Sequence, residues 1–563
     1  MLVELRMSNS KLEKLWDGVQ SLGNLKTIDL YGSKELVEVP DLSMATNLDQ
    51  VTLSECASLR EVHSSIFSLP KLRHLYLDGC TQLESLTTHI HMISLQTLWL
   101  YNCPSLKEFS VTSEEMEELY LSGTAIHYLP SSFFRNRKMK DLYLQGCVNL
   151  KIDGNELFDD RVMGSLTYLD LDGCKQVDAS NLWHILHGVP SLRTLLLSNC
   201  CNLEALPDNI GLLSSLEFLD LSGSNVETLP ASIKNLSMLK RLYMDDCMKL
   251  VFVPELPPSL ERLELSGTNV KSMPTNFKNL SKLKWLELDN CAELVALLEL
   301  PTSMKSLSAV NSTSLELDTN FTQRLLLQHI SSCSLKHCNK YATPHEYVML
   351  PGSHIPELFR STTQTTSITI PYLPLSALCG FLLCFILSKP NSYLQFVKSS
   401  CHIYKQDKIF CGTSLRYLNN GDLISDHIIF WYVDIKYLHK IQKGGVNDHY
   451  IMSFEFDIQD SFCKSRKEVI KGCGVLPVYA KDLELKLDGI ITKDIVQFQS
   501  NAQSSNNQEP VPLTDTLLQD EKKEFIVNDS CDRLAGGSRS RPSFRRFYAA
   551  ALMLLLIASL AKQ

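Results

Sequence analysis

At 563 residues the chain is too long for one ordinary domain, and its 44% hydrophobic and 21% charged residues exclude an intrinsically disordered protein. A net charge of −9 excludes a bulk electrostatic footprint for nucleic acid. The 18 cysteines imply either a disulfide framework or placement by a repeat; a framework suits short secreted chains, and Met1-Leu2-Val3-Glu4-Leu5 has neither the basic start nor the apolar run of a secretory signal.

A phrase of the form L-x-x-L-x-L opens at Leu2 and returns at Leu25, Leu48, Leu72, Leu95, Met116, Met139, Leu166, Leu192, Leu216, Leu239, Leu260, Leu283 and Met304. The spacings run from 21 to 27 residues, the period of leucine-rich repeats. Each phrase is expected to be a short strand, with the strands stacked as a parallel sheet along a horseshoe-shaped α/β solenoid over residues 1–318. The second and third leucines, such as Leu75 and Leu77, should point inward because strand side chains alternate.

Three residues past the last leucine the chain must turn, and buried backbone groups there need partners. Eight repeats place a cysteine at this point: Cys56, Cys80, Cys103, Cys147, Cys174, Cys200, Cys247 and Cys291. The other six place Ser10, Ser33, Thr124, Ser224, Thr268 and Ser312. All can donate a hydrogen bond to a neighbouring carbonyl. The cysteines therefore read as a structural ladder of buried thiols. No Cys-x-x-Cys pair accompanies them, which speaks against a metal site.

On the return side, Pro207, Pro230 and Pro274 predict short, tight turns. The segment 179–190 predicts a helix, with Ser180 as its N-cap and a stop at Gly188 and Pro190.

The outward strand positions carry His74, Tyr76, Trp99, Tyr101, Tyr120, Tyr143 and Tyr168, with Asp170 and Asp172 beside them. Large rings facing water imply a ligand-binding surface on the concave face; the alternative is that they stack on one another and stiffen the sheet.

After residue 310 the leucine period stops. A cap or linker helix is expected over 319–344, with its amphipathic core at 319–336. Residues 345–485 alternate and are β-branched, which predicts an all-β sandwich; within it "LCGFLLCFIL" at 378–387 is too short for a bilayer and reads as a core strand. His402 and His427 read as satisfied strand residues and not as ligands. Residues 486–546 are polar and expected to be disordered. The apolar run 547–561 would be ~22 Å long as a helix, short of a ~30 Å hydrocarbon core, and is a candidate tail anchor or interfacial helix. There is no P-loop, His-Glu-x-x-His or Gly-x-Ser-x-Gly motif, so neither catalysis nor a cofactor is expected.

The stretch "LVELRMSNSKLEKLWDGVQSLGNLKTIDLYGSKELVEVPDLSMATNLDQVTLSECASL" (2–59) resembles the opening repeats of plant intracellular immune receptors of the TIR–NB-ARC–LRR class. "LPGSHIPELF" (350–359), "SDHIIFWYVD" (425–434) and "VIKGCGVLPVYAKD" (469–482) resemble the jelly-roll/Ig-like C-JID that follows them. Leu358 stands where the family often has Trp. The resemblance implies a cytoplasmic or nuclear recognition module whose partner is a pathogen effector, a host guardee protein or a full-length NLR. Neither a TIR nor a nucleotide-binding segment is present in the sequence, so the family's NAD cleavage and nucleotide switch do not carry over. The chain thus reads as a receptor's sensor half, starting inside a repeat.

Three other readings stay open. One is a truncated regulator, decoy or non-functional remnant. The second is a substrate-recruiting subunit of a ubiquitin ligase, though no F-box-like stretch stands before Leu2. The third is an extracellular ectodomain with sequons at Asn235, Asn279, Asn311, Asn320 and Asn528.

Overall fold

The phrase of the repeat becomes a three-residue strand each time, from Glu4–Arg6, Thr27–Asp29 and Gln50–Thr52 through to Ser306–Ser308. The computed structural model describes residues 2–129, 133, 136–151, 163–297, 300–316, 347–359, 361–374, 378–388, 396–405, 408–416, 423–434, 449–460 and 465–479. Neighbouring strands pair in parallel and in strict register, leucine beside leucine: Leu75 faces Leu98, and Leu98 faces Leu119. Both leucines of a phrase are buried, as at Leu75 and Leu77, so the stacked repeats share one continuous core.

The return side is built from short 3₁₀ turns. Two start directly after a proline, at Asp208–Leu212 and Ala231–Asn235, and a third covers Phe277–Asn279. Proline fixes the entry angle and has no N–H to lose at a helix start. The α-helix Ala179–His187 occupies a longer repeat. Its N-cap is Asp178, which corrects the expectation of Ser180. The Asp178 carboxylate accepts from the backbone N–H of Ser180 at 2.8 Å and of Asn181 at 2.9 Å, while the Asn181 side chain accepts from the Asp178 N–H. A carboxylate at the helix start satisfies two orphan donors and suits the positive end of the dipole. The C-cap is Gly188, as the spacing predicts.

The parallel sheet does not end at the last repeat. Strand Val348–Pro351 adds to Ser306–Ser308 in parallel, then pairs antiparallel with His427–Asp434. The sheet continues through Leu378–Leu387 and Ile470–Tyr479 to Ser361–Thr363. A second, antiparallel sheet orders Ser367–Pro374, His449–Asp460, Phe396–Lys405 and Lys408–Arg416. The two layers share a core in which Phe381 meets Phe454, and Phe385, Trp431 and Phe456 pack in a cluster.

Leu382, Cys384 and Ile386 face the opposite way, into the core cluster of the solenoid. The strand Leu378–Leu387 is therefore buried on both faces, which is why its sequence is almost unbroken in apolar residues. Among the described residues no helix is long and apolar enough to cross a membrane. The segments 319–344, 486–546 and 547–561, for which a helix, disorder and an anchor are expected, lie outside the described residues.

Candidate functional site

Each strand hands over to a left-handed turn. Two residues after the last leucine the backbone takes φ between 57° and 74° in all fourteen repeats, at Asn9, Gly32, Glu55, Gly79, Asn102 and their equivalents through Asn311. Glycine and asparagine tolerate this conformation; Glu55, at φ 62°, does not do so readily. In thirteen repeats the N–H of this residue donates to a carbonyl of the next repeat at 2.6–2.9 Å. The ladder residue follows directly. Cys80 Sγ donates back to the Leu53 carbonyl at 3.2 Å, and Cys103 to Leu77, Cys147 to Leu121 and Cys247 to Leu221, each at 3.1 Å. Cys56, Cys174, Cys200 and Cys291 make the same bond. All eight are free and buried. Burial pushes the thiols up, to about 11 at Cys56 and about 12 at Cys103, so they stay protonated donors. Thr124 and Thr268 use the alternative of bonding a carbonyl of their own repeat.

On the concave face the rings form a chain. Tyr76 meets Trp99 edge-on at 4.8 Å, Trp99 meets Tyr120 at 5.2 Å, and Tyr120 stacks on Tyr143 at 4.2 Å with 8° between planes. Tyr168 leans on Tyr143 at 4.8 Å, and His74 lies beside Tyr76. The parallel register produces this, since consecutive strands place equivalent side chains one strand spacing apart, ~4.8 Å. Trp99 remains 38% exposed and Tyr101 47%. Among the described residues no ring contact joins Tyr101 to the chain, because it stands two residues beyond the end of the strand Thr97–Trp99. Burial and the neighbouring Tyr120 raise the Tyr143 phenol.

The two acids expected beside the rings are engaged within the protein. Asp170 is only 7% exposed; it accepts the Asp172 N–H at 3.0 Å, and burial pushes its carboxyl up to about 7. Asp172 is half-buried and accepts from the side chains of Gln145 at 3.0 Å and Asn199 at 2.9 Å. Charge on this face is concentrated further along. Arg262 extends its guanidinium between Glu264 and Glu287, 2.5 Å from each.

A second constellation, missed in the sequence, sits where the repeats meet the β layers. At Asn311, the last left-handed turn, no further repeat supplies a carbonyl. Its N–H donates instead to His427 Nε2 at 2.8 Å. His427 Nδ1 lies 2.8 Å from the Ser425 carbonyl and must donate to it, which fixes the neutral tautomer protonated on Nδ1. The Asn311 side chain accepts from the Ile424 N–H at 3.0 Å. His427 is fully buried, and burial lowers its basicity. Asn311 heads one of the five sequons, but at 5% exposure it is internal to this joint. His402 lies half-buried on the strand Phe396–Lys405.

Comparison with known proteins matches the repeats. A family model described as "Leucine-rich repeat region" covers residues 163–257, and one described as "Leucine Rich Repeat" covers residues 2–20. The TMV resistance protein N of Nicotiana glutinosa is 32% identical over 308 residues, which is 46% of this chain and 27% of that protein. Disease resistance protein RPP4 of Arabidopsis thaliana is 37% identical over 249 residues, 42% of this chain and 20% of that protein. RPS6 of the same plant is 34% identical over 270 residues, 45% and 23%. The homologues of this chain are TIR-type NLR disease resistance proteins. It is itself a leucine-rich-repeat protein related to them, and it spans about a quarter or less of the length of these NLR relatives. Among solved structures, the LRR protein LIC12759 of Leptospira interrogans is similar at 20% identity and a TM-score of 0.34, over 58% of this chain and 94% of that one.

Proposed function

We propose that this chain is a non-catalytic protein-recognition module of a plant innate immune receptor. Its concave face takes up a pathogen effector or a host guardee protein through His74, Tyr76, Trp99, Tyr101, Tyr120, Tyr143, Tyr168 and Asp172, while Asp170, 7% exposed, supports that face from within. Residues 345–485 act beside it as a C-JID-like β-sandwich. The work is done in the cytoplasm or nucleus, alone or with a full-length NLR. One observation carries the reading: a large indole, Trp99, stays 38% exposed in the middle of an ordered chain of rings. Trp and Tyr held rigidly by neighbours lose little entropy on binding and are typical anchors, each worth ~2 kcal/mol or more when truncated.

A second reading has its own support. Tyr120 and Tyr143 stack almost in parallel at 4.2 Å, which suits rings that stiffen the sheet. A paired measurement separates the two. Trp99→Ala and Tyr143→Ala are compared with the wild-type chain for melting temperature and for affinity toward an effector. Lost affinity at constant stability supports recognition; lost stability at constant affinity sinks it.

A further inference from the structure

A second parallel ladder runs along the flank of the solenoid, in the stretch of each repeat between the left-handed turn and the return turn. Its backbone bonds pass from Lys107 to Glu84, from Glu227 to Glu204 and, nearer the β layers, from Lys271 to Val251, Val295 to Lys271 and Glu316 to Val295. Equivalent side chains therefore stand one strand spacing apart, ~4.8 Å. At Glu204 and Glu227 the ladder is charged and paired, since Lys249 lies 3.8 Å from the first carboxylate and 3.3 Å from the second. It then turns apolar at Val251 and Val295, 46% and 48% exposed, and the repeat of Val251 adds Phe252 at 56% and Met248 at 67%.

The array itself shows that the fold does not require these side chains. Phe252 follows Val251 as Thr228 follows Glu227 and Ser272 follows Lys271, and both equivalents are small and polar. Met248 stands directly after its ladder residue, where the repeats on either side carry Asn225 and Asn269. Each asparagine donates to a carbonyl of the preceding repeat, at 2.6 and 2.7 Å, a bond that a methionine gives up. Lys271 is exposed between Val251 and Val295 and has no ion pair among the described residues. An exposed apolar group around one unpaired cation is complementary to a carboxylate flanked by apolar side chains. The spacing suits a helix, whose residues three and four apart share a face ~5–6 Å from one another.

We propose that Met248, Val251, Phe252 and Val295, with Lys271 among them, form a docking surface for an amphipathic helix of a partner protein. The helix lies along the solenoid axis, with a carboxylate facing Lys271 and an apolar residue one turn away on each side. This flank is separate from the ring-bearing face and does not depend on what that face binds.

The test uses the full chain and a fluorescein-labelled, alanine-rich helical peptide with leucine, glutamate and leucine at i, i+4 and i+7, beside its glutamine counterpart. Hydroxyl-radical footprinting of the free chain should oxidise Met248 and Phe252 as exposed side chains. Slow oxidation of both overturns the proposal, because the chain itself or a second copy then covers the surface. The glutamate peptide should protect both residues and, by anisotropy at low salt, bind about threefold to fivefold tighter than the glutamine peptide, the scale of one ion pair. Lys271→Gln should erase that preference. Phe252→Ser should weaken both peptides by about tenfold, the scale of half a phenyl ring returned to water. Phe252→Ser and Met248→Asn install residues that adjacent repeats hold at the same place, so their melting temperatures should match wild type. No binding by wild type, a preference that survives Lys271→Gln, or unchanged affinity in Phe252→Ser overturns the proposal. If Phe252→Ser does not fold, Met248→Asn decides by the same loss of affinity. A dimer of the chain that Phe252→Ser dissolves would assign the surface to a second copy and overturn it as well.

Discussion

Asp170 is the residue in the ring-bearing region whose environment departs furthest from what its position suggests. Its carboxyl is raised from 3.8 to about 7 by burial. Between those values the folded state holds a proton that the unfolded state has released. Stability from this group is therefore full below about 4, falls as pH rises toward 7 and is level above. Asp170→Asn keeps an oxygen for the Asp172 N–H and removes the buried charge. It should be more stable than wild type at pH 8, by roughly 2–4 kcal/mol at most, and no more stable at pH 4. Urea midpoints at the two values check this, and a gain that does not depend on pH would contradict it. Glu55 gives a simpler case. Its left-handed backbone is one that glycine adopts freely, so Glu55→Gly should stabilise by ~0.5–1 kcal/mol in equilibrium unfolding. Neither residue stands out in the sequence. The strand pattern places Asp170 on the outward row but cannot show that its neighbours close over it. The left-handed turn is legible at "DGC" and "SGT" through glycine, and is hidden at "SEC", where glutamate fills the same place.

The elements were readable wherever one strong local signal sets them. The leucine period locates the parallel strands, and prolines locate the tight returns. The helix start was misplaced because Asp178 and Ser180 are both good caps, and only the reciprocal bonds with Asn181 choose between them. The thiol ladder was legible because its period coincides with the strands. A bulky residue at its centre has no room: Cys80→Leu should cost ~1–3 kcal/mol in urea unfolding, and a neutral result would show that the turn has slack. The strand Val348–Pro351 and its partner His427 were not legible as a junction, since residues 311 and 427 are linked only through the tertiary fold. That junction depends on a neutral imidazole. Protonating Nε2 would set a donor against the Asn311 N–H. Burial lowers the pKa of His427 in the folded chain below the ordinary 6.5 of histidine, so its contribution is full above about 6.5 and is lost as pH falls from there through the lowered folded value. The urea midpoint of wild type should drop between pH 7.5 and 5 more than that of His427→Asn. Equal drops would show that the imidazole does not govern the joint.

At the scale of the molecule, the repeats and the β layers are joined by backbone bonds and by a shared core. Leu307 and Ala309 donate to the carbonyls of Tyr347 and Met349, as they would to a following repeat. Leu382, Cys384 and Ile386 pack into the same cluster as the leucines. Unfolding should then be one event. Thiol labelling of Cys80 in the repeats and of Cys384 in the β layers, followed by mass spectrometry across a urea series, should give coincident midpoints. Separate midpoints would mean that the joint is a hinge between independent units.

The uniform turn at the end of every repeat has a consequence for how such an array can change in a genome. Each interior unit receives one backbone bond and passes on an identical one, so an in-frame loss or duplication of a unit leaves no donor unmet. Such an event would slide the run from Tyr76 to Tyr168 by one strand spacing, ~4.8 Å, relative to the β layers. The terminal unit lacks that freedom, because the Asn311 N–H donates to the imidazole of His427 where the turns before it donate to a backbone carbonyl. Alleles of differing length should therefore vary in interior units while the pair Asn311 and His427 travels unchanged. The array is in effect a ruler whose far end is fixed and whose markings can be shifted by recombination.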